Sequence, residues 1–170
     1  MKIPLRPSLL KIRRRTRWII LHHTAEIYEQ PASRIDNPKF QMPGIYKGVL
    51  EKKQGDVNYH YIIDKIGEDY APIVCRPFVY MCEWDDISPS VNNAAVHVAL
   101  MGSYSFKVPE KRCYEVLAFR VLNPLLKLLK IAPNRIKLHK EVSDNEDLDC
   151  PGEFIDRGVI EAMVRRFVIK

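Results

Sequence analysis

Arg17-Trp18-Ile19-Ile20-Leu21-His22-His23-Thr24 sets an uninterrupted apolar run directly before two imidazoles. A run this short, β-branched and aromatic in character, reads as a strand buried on both faces, as in a parallel sheet. His22 and His23 then fall at its C-terminal edge, where open α/β sheets hold ligands.

Outward from that strand, residues 25–54 are irregular and broken by Pro31, Pro38 and Pro43, which predicts a long exposed loop with at most a short helix. Residues 57–64 (Val-Asn-Tyr-His-Tyr-Ile-Ile-Asp) and 70–74 flank Lys65-Ile66-Gly67-Glu68 and read as a hairpin. Residues 94–101 form a second apolar run, a central strand closed by Gly102-Ser103. Residues 110–130 carry Val116, Leu117, Phe119, Val121, Leu122, Leu125, Leu126, Leu128 and Leu129 at helical spacing, with Pro124 expected to kink or divide the helix. Residues 135–138 make a short strand into His139, and a polar loop ends at Cys150-Pro151-Gly152. A last helix is predicted over 154–169, with Phe154, Ile155, Val159, Ile160, Met163, Val164 and Phe167 on one stripe. Strands and helices in this order predict one α/β domain, a mixed central β-sheet flanked by helices.

Composition agrees with a single folded domain. The 170 residues are 46% hydrophobic and 28% charged, which excludes disordered, collagen-like and coiled-coil chains. A formal net charge of +6 favours an anionic partner without choosing one. No stretch approaches the ~18 apolar residues of a membrane span, so an integral membrane protein is not expected. Residues 1–16 form a basic arm (Lys2, Arg6, Lys11, Arg13, Arg14, Arg15) ahead of a domain over 17–170. The arm lacks the apolar core of a signal peptide, which predicts synthesis in the cytoplasm and action elsewhere only after release. Cys75, Cys82, Cys113 and Cys150 are widely spaced and read as free thiols or one metal ligand.

Three borderline-soft donors, His22, His139 and Cys150, stand at or just past the ends of predicted strands. Three such donors and an open fourth position are the catalytic-zinc arrangement. Their spacing follows no local motif, however, and on spacing alone a buried strand histidine, a surface His139 and a small buried Cys150 stand as the other reading.

Trp18-Ile19-Ile20-Leu21-His22-His23-Thr24-Ala25 resembles the opening motif of the zinc-dependent N-acetylmuramoyl-L-alanine amidases, the superfamily shared by phage lysozymes and peptidoglycan recognition proteins. Further landmarks follow in order. Asp56-Val57-Asn58-Tyr59-His60-Tyr61-Ile62-Ile63-Asp64 is similar to the family's aromatic second strand, and Asn92-Asn93 through Val96-His97-Val98-Ala99-Leu100-Met101-Gly102-Ser103-Tyr104 to its central strand. Leu138-His139-Lys140-Glu141-Val142 and Asp149-Cys150-Pro151-Gly152 resemble the segments that carry the second and third ligands.

The resemblance implies Zn²⁺ held by His22, His139 and Cys150, Tyr59 as a catalytic hydrogen-bond donor, and peptidoglycan as substrate, hydrolysed between muramic acid and L-alanine by a monomeric, endolysin-like enzyme. His23, His60 and His97 are expected in structural roles. Two departures stand out: Leu148 replaces the Lys or Thr that many members place two residues before the third ligand, and Ala99 replaces a Glu found in some. Both keep a rival open, a non-catalytic peptidoglycan- or peptide-binding module on the same fold. Nucleic acid is not expected as a partner, since Lys11-Ile12-Arg13-Arg14-Arg15-Thr16-Arg17 comes without any RNA- or DNA-binding signature. Glu83, Asp85 and Asp86 beside Trp84 do not show the facing carboxylates of a glycosidase and read as a solvated loop.

Overall fold

The computed structural model describes residues 15–25 and 57–168. The expected loop beyond Ala25 and the arm before Arg15 lie outside them. The strands are β1 (Trp18–His23), β2 (Tyr61–Ile66), β3 (Asp69–Val74), β4 (Ala95–Leu100) and β5 (Ile136–Leu138). The helices are α1 (Pro89–Asn92), α2 (Lys111–Val116), α3 (Asn123–Leu129) and α4 (Arg157–Val168).

The sheet runs β3-β2-β4-β1-β5. β4 pairs in parallel with β1 and β2, and β1 with β5, while β3 closes one edge antiparallel to β2. The mixed sheet predicted from the strand order is therefore present. All six residues of β4 are buried, as a central strand covered on both faces requires.

Alternation along the strands sorts the two faces. Ile19 and Leu21 of β1 join Val96, Val98 and Leu100 of β4 in the main core, packed against Leu117, Leu122, Leu126, Ile160 and Val164. Ile20 and Ala95 face the other way, onto Ile87, Trp84 and Val142. His22 and His97 share this second parity, which puts both on the face covered by loops and the short helix α1, opposite the face covered by α2, α3 and α4. The register sets Ile20 opposite His97 and His22 opposite Ala99, so the two imidazoles are diagonal neighbours.

Boundaries differ from expectation at three places. β2 begins at Tyr61, not Val57, and its hairpin with β3 turns through Gly67, whose φ of +63° suits glycine. Pro124 does not interrupt the long helix, because a widened π turn over Leu117–Leu122 precedes it. That turn contains Arg120, whose carbonyl the proline ring would meet in a regular α-helix. The last helix starts at Arg157, since Asp156 Oδ1 accepts from the N–H groups of Gly158 (2.7 Å) and Val159 (3.2 Å) and caps it there. Phe154 precedes the helix and Val159 is exposed, so among the described side chains, which do not include Phe167, the buried stripe is Ile160 and Val164, with Met163 packed at its side.

Candidate metal centre

His22 leaves β1 at its C-terminal end, His139 follows β5 directly, and Cys150 comes from the loop beyond, where the Lys140 N–H donates to the Cys150 carbonyl at 2.9 Å. The three side chains each offer one ligand atom, and these atoms lie within 4.8 Å of one another. All three are buried. Cys150 Sγ stands 3.8 Å from His22 Nδ1. His139 Nε2 approaches the Asp86 carboxylate at 3.1 Å, and its Nδ1 is buried with no hydrogen-bond partner among the described residues.

Burial sets the protonation of this group. It pushes His22 well below the usual imidazole pKa, with His97 and His139 adding to the effect. It lowers His139 as well, against the opposing pull of Asp86, so the ring is neutral at physiological pH and its Nε2–H donates to the carboxylate as a hydrogen bond. Cys150 is pushed up to about 12, mainly by burial, which keeps it a thiol until something displaces the proton.

Residues assigned elsewhere from sequence shape the centre. Asp86, expected in a solvated loop, is half-buried between His139 and Ser143, whose Oγ donates to Asp86 Oδ2 at 2.7 Å. The Asp144 N–H donates to the Asp86 carbonyl at 2.8 Å, fastening the two loops together. Trp84 stacks on His22 with ring centroids 4.6 Å apart and 19° between planes, and Tyr59 stands edge-on to His22 at 5.5 Å. Asn92 is buried and its Nδ2 donates to the carbonyls of Trp84 (2.8 Å) and Ile87 (2.9 Å). Asn58 clamps the main chain of Glu83 at both its N–H and its carbonyl. No local sequence signal marks Asp86, because it meets His139 only through a loop distant in the chain.

His23 points its ring to the helical face, where Nδ1 accepts the Tyr104 N–H at 3.2 Å, while its carbonyl accepts from Cys150 Sγ at 3.9 Å. His60 is buried beneath β4, its Nε2–H donating to the Tyr80 carbonyl at 2.8 Å. All four cysteines are buried.

The donor set fits a zinc ion. Two neutral imidazoles and one thiol are the nitrogen and sulfur donors zinc prefers, and His139 presents a buried nitrogen with nothing else to bind. Asp86 behind His139 repeats the carboxylate–histidine pairing common at metal sites.

Fold and site together define a mixed-sheet α/β domain with a three-donor His/His/Cys centre at its sheet edge. The chain belongs to the N-acetylmuramoyl-L-alanine amidase family, which it matches over residues 12–153. Among solved structures it is similar to the N-acetylmuramoyl-L-alanine amidase LysC from Clostridium intestinale, at 20% identity and a TM-score of 0.72, covering 96% of this chain and 95% of that one. The Ph2119 endolysin of a Thermus scotoductus bacteriophage matches at 20% identity and a TM-score of 0.63, with 91% and 89% covered. The Drosophila peptidoglycan recognition protein SD matches at 19% and 0.64, with 89% and 84% covered. At these identities the likeness is one of fold. No curated protein matches the chain. The family resemblance carried by the sequence motifs is thereby borne out.

Proposed function

We propose that the protein is a zinc-dependent peptidoglycan hydrolase that cleaves the amide between N-acetylmuramic acid and L-alanine. The observation that carries this reading is the convergence of His22, His139 and Cys150, with His139 Nδ1 buried and unpartnered, inside a chain of the amidase family.

Zinc bound there supplies Lewis acidity for the carbonyl and water made acidic enough to be a nucleophile near neutral pH. The chain's own residues do the rest. His22 and His139 enter neutral, so neither must lose a proton to bind, whereas the Cys150 thiol does. Asp86 holds the His139 ring by its Nε2–H and leaves the buried Nδ1 as the nitrogen available to a metal. Tyr59, edge-on to His22, offers its phenol O–H to the oxygen that gains negative charge. Leu148 offers no donor where many relatives place Lys or Thr, so turnover is expected to be slow, and Ala99 offers no carboxylate base.

Protein loaded with zinc and incubated with purified peptidoglycan is expected to release new alanine amino termini and no new reducing sugars. Elemental analysis is expected to give about one zinc per chain. His139→Ala retaining stoichiometric zinc would remove His139 from the ligand set. Leu148 and Ala99 also support a second reading, a peptidoglycan-binding module without catalysis. It takes over if zinc-loaded protein releases neither product from any peptidoglycan chemotype.

A further inference from the structure

Inside the otherwise apolar strand β4, Ala95-Val96-His97-Val98-Ala99-Leu100, one imidazole is wholly buried. A polar ring in such a place costs free energy unless it is hydrogen-bonded. His97 Nδ1 lies 2.9 Å from His22 Nε2. We propose that His97 is a positioning residue for the metal centre, accepting the Nε2–H of His22 and so holding that ring with Nδ1 aimed at His139 and Cys150. The inference rests on His22, His139 and Cys150 being the zinc ligands.

Three observations carry it. The first is which nitrogen faces the donors. Cys150 Sγ is 3.8 Å from His22 Nδ1, so Nδ1 is the atom on the ligand side and Nε2 the atom turned to His97. A metal takes the lone pair of an imidazole nitrogen, which requires the ring proton on the other one. Nε2–H is then the donor and His97 Nδ1 the acceptor.

The second is that His97 is itself fixed. Its main-chain N–H donates to His60 Nδ1 at 2.9 Å, and its carbonyl accepts the His60 N–H at 2.9 Å. Since His60 Nδ1 accepts, that ring bears its proton on Nε2, which donates to the Tyr80 carbonyl at 2.8 Å. One residue thus clamps both backbone groups of His97, immediately before β2 joins β4 through Tyr61 and Val98.

The third is symmetry of role. His139 is held through Nε2 by Asp86, and His22 through Nε2 by His97. Each candidate ligand therefore presents Nδ1 and is gripped from behind, one by a carboxylate and the other by a neutral ring. Outer partners of this kind orient the ligand and typically change metal affinity by ~10- to 100-fold when removed.

The test compares zinc affinity, measured by competition with a chromophoric chelator, in wild type, His97→Phe and His97→Asn. Phenylalanine keeps a ring and loses the acceptor, whereas asparagine can set its Oδ1 near the place of Nδ1. His97→Phe is expected to bind zinc ~10- to 100-fold more weakly and His97→Asn to recover most of that loss. His97→Phe binding zinc as tightly as wild type overturns the assignment of His97 alone. Wild type taking up no zinc overturns the metal reading and this one with it. Long-range ¹H–¹⁵N spectra of metal-free wild type need no variant to fold, and are expected to show His22 as the Nε2–H tautomer. An Nδ1–H tautomer there overturns the proposal.

Discussion

At Tyr59 one hydroxyl separates a catalytic role from a packing one. Tyr59→Phe keeps the ring edge-on to His22 and removes the phenol, so turnover should fall by about 10²- to 10³-fold with zinc content unchanged. Hydrolysis rates read alongside elemental analysis check this, and equal turnover would leave Tyr59 a packing residue. Asp64 poses a different residue-scale question. Its carboxyl is buried in β2, with Oδ1 accepting the Lys65 N–H at 2.7 Å and Oδ2 without a hydrogen-bond partner among the described residues. Burial raises its pKa to about 6 from 3.8. The folded state therefore favours the protonated form, a stabilisation complete below the unfolded pKa and lost as pH rises through about 6. Asp64→Asn, which cannot ionise, should raise the unfolding free energy by about 2 kcal/mol near pH 8, the gain fading toward pH 4. Urea unfolding across that pH range measures it. A gain independent of pH would mean the carboxylate is not what costs stability.

At the scale of elements, the loop bearing Cys150 is held by close backbone approach. Gly152 has φ of +98°, and a Cβ there would run into the main chain of Tyr104 and Ser105. Gly152→Ala should cost about 2 kcal/mol or more, from the backbone conformation and the collision together, and should weaken zinc binding because Cys150 is two residues away. Thermal unfolding and chelator competition read the two effects, and a variant as stable as wild type would show that Tyr104 yields easily. The loop with Trp84 and Asp86 is secured differently, by Asn58, Asn92 and Ser143 from three separate parts of the chain.

Across the whole molecule, charge is the property most open to test. The net +6 is concentrated in part in the arm, with Lys11, Arg13, Arg14, Arg15 and Arg17 close in sequence. Clustered cations attract polyanions with a strength that salt screens over ~10 Å at 0.1 M. Protein lacking residues 1–15 should therefore sediment less with purified cell wall at low salt and show a flatter salt dependence. Unchanged binding in a folded truncation would assign wall attachment to the domain alone.

The strand at Trp18–His23, the hairpin, the buried central strand and the order of elements are all legible in the residues alone, because apolar runs and turn residues are local signals. Motif order, and not spacing, singled out His22, His139 and Cys150 as the candidate ligands. Tertiary structure alone decided which other residues meet them. Parallel register sets His97 diagonal to His22, and loop packing carries Asp86 to His139 and Trp84 onto the His22 ring. Parity along one strand is legible in a sequence, but the register between strands and the path of a loop are not. Both are settled by packing among residues far apart in the chain, and no local pattern encodes such pairings.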